Sequence, residues 1–279
     1  MALRLDLVGK KFDSFSDSYT EDDAILYALS IGAGVGEELD FLYEKDLKVF
    51  PTFAVIPYSV HGWDFPVKLG MDMFHVLHGE QKIEWHGLLP PQGTLHTEST
   101  LEAIYDKGEA GAVAHVVSET RDKGGQLLFV SRAVIFDRSA GNFGGDRGPR
   151  TEKVLPPEGR EPDFRVEEAT SPDQAALYRL NGDKNPLHIE PEFAQRGGFP
   201  KPILHGLCTY GYAGRAILSQ ACGRDPARLK SLSVRFAGVV FPGETLITEG
   251  WQTQTGTFVF QTRTGDGRVV LSNGQAETA

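Results

Sequence analysis

The chain has 279 residues, 40% of them apolar, and a formal net charge of −10. This supplies sizeable cores for one domain or two, and the charge has the wrong sign for a general nucleic-acid binder. No run approaches the roughly 18 apolar residues of a membrane-spanning helix, and the two cysteines, Cys208 and Cys222, have no metal or redox spacing, as in a reduced intracellular protein.

Thr20 precedes three acids and the apolar run A-I-L-Y-A-L (24–29), which predicts a short helix capped by Thr20. The cluster G-A-G-V-G (32–36) follows. A dinucleotide-binding glycine motif needs a strand before it and a helix after it; here a helix precedes and acids follow, so the cluster reads as a turn. Residues 50–62 are apolar but interrupted by Pro51 and Pro57, which suits an irregular helix. From 73 to 138 the texture changes. T-L-H-T-E-S-T-L (94–101), A-V-A-H-V-V (112–117) and residues 127–136 read as strands, and D-K-G (106–108) and D-K-G-G (122–125) as turns of an antiparallel meander. His75 and His78 have the spacing of metal ligands, with His61, His86 and His96 in the same region, but no acid or cysteine completes a recognisable set.

Residues 139–163 are rich in Gly, Pro and charge and read as a linker. S-P-D-Q (171–174) then offers Ser as cap, Pro at the first helical position and Gln to complete a capping box ahead of A-A-L-Y-R-L (175–180). A helix over 207–220 carries many small residues, so other elements can wrap it closely. Runs at 232–241, 245–253, 258–264 and 268–273 read as strands.

Between the two helices of this half lies N-G-D-K-N-P-L-H (181–188). It sets an acid, an amide and an imidazole, Asp183, Asn185 and His188, within six residues. Pro186 stiffens the loop and disfavours a helical conformation at Asn185. A rigid loop with two proton-transfer groups, facing a helix start at H-G (205–206), suits acyl transfer or acyl hydration. A helix-ending turn at N-G-D and a core histidine at 188 are the structural alternatives, and His205 reads as a helix-start residue. Arg215, Arg224, Arg228, Lys230 and Arg235 stand out in an acidic chain, as a basic patch or a solvated face.

The halves repeat. A-I-L-Y-A-L (24–29) and A-A-L-Y-R-L (175–180) stand 151 positions apart, and F-P occurs at 50–51 and 199–200. At this offset Gly32 takes the place of Asp183 and Glu37 that of His188, so the first copy lacks the acid/imidazole pair.

A-A-L-Y-R-L-N-G-D-K-N-P-L-H-I-E-P (175–191) and K-P-I-L-H-G-L-C-T-Y-G (201–211) resemble the hydratase 2 family, the (R)-specific 2-enoyl-CoA hydratases of the MaoC-like class. L-H-G-E-Q (77–81), Y-D-K-G (105–108), V-R-F-A (234–237) and F-P-G-E-T-L (241–246) extend the resemblance over almost the whole chain. It implies an α+β double hot-dog, two antiparallel sheets each wrapped around a central helix. The expected division is a degenerate acyl/CoA-binding half at 1–140, a linker at 141–163 and a catalytic half at 164–279. The implied activity is reversible hydration of trans-2-enoyl-CoA to (3R)-3-hydroxyacyl-CoA. Asp183 and His188 would be the catalytic pair, with Asn185 supporting them and the Gly206 N–H holding the thioester oxygen. His78, Gly79, Lys107 and Phe236 fall where the family contacts acyl-CoA, whose phosphates a basic patch would suit. No metal and no organic cofactor is implied. A homodimer is expected, in the cytoplasm, or in peroxisomes if the chain is a fragment of a longer multifunctional enzyme; its last residues, E-T-A, are not an S-K-L address. A hot-dog acyl-CoA thioesterase and a non-catalytic acyl-CoA binding protein are the alternatives.

Overall fold

Strand β1 (Lys11–Tyr19) follows a 3₁₀ turn at Leu5–Leu7 in a computed structural model that describes residues 3–61, 64–150 and 152–279. Helix α1 (Glu21–Ser30) follows, with the expected cap at Thr20: its hydroxyl accepts from Asp23 N, and the Asp23 carboxylate accepts from Thr20 N at 2.8 Å. The irregular helix expected at 50–62 is a 3₁₀ turn, Pro51–Val55, running into α2 (Ile56–His61); Gly62 lies outside the described residues. A further short helix, α3 (Asp64–Lys68), comes before the meander. The meander is β2 (Val76–Trp85), β3 (Gly93–Asp106), β4 (Ala112–Asp122) and β5 (Leu127–Asp137).

The second half contains β6 (Phe164–Ala169), the short helices α4 (Gln174–Tyr178) and α5 (Pro191–Arg196), and the long helix α6 (Gly206–Cys222). Strands β7 (Leu229–Phe236), β8 (Thr245–Gln254), β9 (Thr257–Thr264) and β10 (Val269–Thr278) close it. Gln174 reaches back to Ser171 N as a capping box requires, but the Ser171 hydroxyl accepts from Asp173 N.

The expected wrapping is present, but the two sheets are continuous. The ten strands of the described residues lie in one antiparallel sheet, ordered β1-β3-β4-β5-β2-β7-β10-β9-β8-β6, because β2 pairs directly with β7. Lys82 faces Ser233 in that pairing, again 151 positions apart, so the repeat is related by a pseudo-twofold axis through this junction. The same relation holds between the helices. The Asn181 side chain donates to the Ser30 hydroxyl at 2.9 Å, a separation of 151 positions, and the rings of Tyr27 and Tyr178 lie 6.3 Å apart.

Strands β1 and β6 are the two sheet ends and were not apparent in the sequence. K-F-D-S-F-S-D-S-Y and F-R-V-E-E-A alternate apolar and polar residues weakly, as edge strands facing water do. The small residues of α6 have the expected cause. A Cβ on Gly211 would stand 2.4 Å from Ile31, and one on Gly214 2.4 Å from Thr52, so the first half presses directly on this helix. One core runs across both halves, joining Tyr27, Ile31 and Phe53 to Tyr210, Leu232 and Phe260. Fully burying each such side chain contributes about 1.5–3 kcal/mol.

Candidate active site

The 181–188 loop takes its shape from its own residues. Gly182 adopts φ +128°, a conformation that disfavours side chains, and a Cβ there would meet Val60 at 2.5 Å. The Asp183 carboxylate accepts from Asn185 N at 3.1 Å, and the Asn185 side-chain oxygen accepts from Leu187 N at 2.9 Å. Asn185 has ψ 122°, the extended conformation that a following proline favours, and caps the 3₁₀ turn Pro186–His188. His188 is buried. Its Nδ1 lies 2.8 Å from the Ile203 carbonyl, which can only accept, so the proton belongs on Nδ1 and Nε2 carries the lone pair. Burial pushes the His188 pKa below its ordinary 6.5 against the pull of Asp183, which keeps the ring neutral at pH 7.

His205 is the N-cap of α6 and Gly206 its first residue, so the Gly206 N–H belongs to the turn that has no intrahelical acceptor. Gly206 is exposed to the cavity between flanking buried residues. A Cβ there would stand 3.2 Å from two ring atoms of Phe236, so the missing side chain lets the ring sit against the helix end. Phe236 in turn lies 4.9 Å from the His78 ring. His78 Nε2 meets the Glu80 carbonyl at 3.1 Å, and burial lowers its pKa to about 4. Gly79 sits in the bulge between His78 and Glu80, where β2 leaves its register with β5.

All eight sequence-predicted residues line one cavity of about 790 Å³ between the halves: Asp183, Asn185, His188, Gly206, His78, Gly79, Lys107 and Phe236. Its walls continue into the first half through apolar side chains such as Val76, Val113, Val134 and Phe136. Lys107, in the turn after β3, lies 5.3 Å from the centre of the Tyr105 ring and donates to the Arg147 carbonyl. Arg138 and Arg235 also line the cavity. Arg138 was missed: only its place at the end of the alternating β5 segment could have pointed to it. The rest of the suspected basic patch is dispersed. Arg215 is tied to Glu38 and Glu168, Arg224 to Glu37, Arg228 to the Ala279 carbonyl and Lys230 to the Ala227 carbonyl. The expected first-half equivalents offer no such pair: Gly32 packs under Tyr212, and Glu37 faces Arg224.

Ligand-type atoms of Asp183, His188 and His205 all lie within 4.8 Å of one another. A single water can bridge two polar atoms at that spacing, with one hydrogen bond of about 2.8 Å to each. The two imidazoles are stacked, with centroids 3.7 Å apart and planes 25° apart. Their lone pairs lie in two nearly parallel, offset planes, so one ion about 2 Å from both nitrogens would sit out of the plane of at least one ring, which suits a bridging water better than a tetrahedral metal.

Residues 18–139 match the family model described as the MFE-2 hydratase 2 N-terminal domain, and residues 153–275 that of the MaoC like domain. The chain is 40% identical to a Dictyostelium discoideum protein named probable enoyl-CoA hydratase 2, covering 97% of this chain and 94% of that protein. It is 42% identical to the peroxisomal multifunctional enzyme type 2 of Mus musculus over 95% of its own length and 37% of the mouse protein's. The crystal structure of a MaoC-like dehydratase from Phytophthora capsici aligns with a TM-score of 0.88 and 36% identity, covering 98% of this chain and 97% of that one.

Proposed function

The chain belongs to the MaoC-like hydratase 2 family, and from that premise we propose that it is a hydro-lyase adding water to trans-2-enoyl-CoA to give (3R)-3-hydroxyacyl-CoA, reversibly, in fatty acyl-CoA metabolism. The observation that carries this reading is the meeting of Asp183, His188 and Gly206 in the wall of one long, largely apolar cavity.

Asp183 and neutral His188 hold a water between them and draw a proton from it. Its oxygen adds to C3 of the enoyl group, and the C2=C3 electron pair moves toward the thioester carbonyl. The Gly206 N–H donates to that oxygen as negative charge builds on it, helped by the positive end of α6. A proton from the pair then reaches C2, so the atoms of one water end on C3 and C2. No cofactor enters these steps. His78, Gly79 and Phe236 flank the thioester, the first-half wall takes the acyl chain, and Lys107 meets the phosphates of CoA. Residues 1–140 act as the acyl/CoA-binding half and 164–279 as the catalytic half, joined by the 141–163 linker. The protein works as a homodimer in the cytoplasm, or in peroxisomes as part of a longer enzyme; the peroxisomal names of relatives support only the second location.

The test is to incubate the protein with crotonyl-CoA. Loss of the enoyl absorbance without free CoA, and (3R) product on a chiral column, is the expected result. Release of free CoA would favour a thioesterase. Rapid NADH formation with an (S)-3-hydroxyacyl-CoA dehydrogenase would overturn the handedness, and no turnover of any enoyl-CoA would leave a binding protein.

A further inference from the structure

We propose that His205 is a positioning residue that locks the acid/imidazole pair to the helix end carrying Gly206; the proposal rests on the hydratase reading above. His205 is buried, and its main chain begins α6: its carbonyl accepts from Cys208 N at 3.1 Å and Thr209 N at 3.2 Å. Its ring turns back over the 183–188 loop. One face stacks on His188 at 3.7 Å, while Tyr178 lies tilted at 4.9 Å. Its Nε2 meets the main-chain carbonyl of Asp183 at 3.3 Å. A carbonyl accepts only, so His205 carries its proton on Nε2, and its buried Nδ1 has no hydrogen-bond partner among the described residues.

One side chain thus touches both members of the pair, and its own backbone leads directly into Gly206. The bond from His188 Nδ1 to the Ile203 carbonyl ties the same two segments a second time. Without the His205 ring, His188 loses the surface that fixes its plane, and the Asp183 carbonyl loses its donor. The charged and titratable groups around His205 are His188, Asp183, Tyr178 and Arg179 among the described residues. Burial and the adjacent His188 hold the His205 pKa well below its ordinary value, so it stays neutral while the pair works.

The test uses two variants of the full chain and one measurement on the unaltered protein. His205→Phe keeps a ring for stacking and removes the N–H; His205→Gln keeps an N–H and removes the stack. Each is expected to lower kcat on the order of 10- to 100-fold with KM changed far less, the scale of a sub-ångström misplacement. Because the stacked ring supplies part of the burial that lowers the His188 pKa, His205→Gln should also raise it, read by imidazole NMR and by an acid limb of kcat/KM moved to higher pH; a residue that served only as the helix start would move neither. In the unaltered protein, long-range proton–nitrogen spectra should show His205 neutral with its proton on Nε2 and His188 with its proton on Nδ1. Wild-type kcat in both variants, or His205 protonated on Nδ1 at neutral pH, would overturn the proposal. The tautomer measurement reads His205 even if no enoyl-CoA turns over, so its failure is distinct from failure of the hydratase reading.

Discussion

Replacing Arg215 by Met should destabilise the protein strongly at alkaline pH and less at acid pH. Arg215 lies on α6 with its side chain only 15% exposed, bonded to Glu38 at 2.7 Å and to Glu168, whose side chains are 12% and 19% exposed. It also donates to the Ile31 carbonyl at 3.3 Å, so it joins α6 to both halves. Removing it leaves two largely desolvated carboxylates without their cation, a loss of about 3–5 kcal/mol for breaking a buried ion pair from one side. Burial already raises the Glu168 pKa above its ordinary 4.5, Arg215 pulls it back, and Glu38 pushes it further up. In Arg215→Met only the raising causes remain. The folded state then binds a proton that the unfolded state has released, so stability falls as pH rises above 4.5 through the folded pKa, by at most about 1.4 kcal/mol per pH unit for one group. Urea unfolding followed by fluorescence of the three tryptophans, at about pH 8 and about pH 5, measures both effects. Converting Glu38 and Glu168 to Gln in the same chain should recover most of the loss. A loss below about 1 kcal/mol at the higher pH, or no smaller at the lower, would refute the reasoning.

Gly206→Ala keeps its N–H but puts a methyl 3.2 Å from the Phe236 ring, so kcat/KM should fall about tenfold while the melting temperature barely moves. Lys107→Ala should raise KM for acyl-CoA at low salt and leave kcat nearly unchanged. With an enoyl-pantetheine thioester, which lacks the phosphates, the same variant should match the unaltered protein. Because burial lowers the His188 pKa, the acid limb of kcat/KM should lie below pH 6.5, with activity lost as protonation removes the Nε2 lone pair; a pH–rate profile checks this.

The grouping of the candidate site was legible because it is local. Asp183, Asn185, Pro186 and His188 fix one another within six residues, and the folded loop keeps the extended Asn185 that Pro186 implied. The small residues of α6 likewise announced a closely wrapped helix. What could not be read depends on pairing across the repeat. Nothing in β2 or β7 alone says that Glu80 faces Arg235 and that the two sheets become one. Strands β1 and β6 escaped because an edge strand need not bury a continuous apolar face. Arg215 looked like a surface cation until its partners, Glu38 and Glu168, arrived from distant segments. His205 was legible as a helix start, and it is one; the direction of its ring depends on how the 183–188 loop folds back over it.

The most direct test of the central claim is the turnover of crotonyl-CoA by Asp183→Asn and His188→Gln beside the unaltered chain. Both substitutions keep side-chain size and hydrogen bonding while removing the acid or the imidazole, so circular dichroism and melting should be preserved. If the pair positions and activates the water, each variant should lose on the order of 100- to 10,000-fold in kcat. A folded variant that retains more than about a tenth of the unaltered kcat would contradict the account.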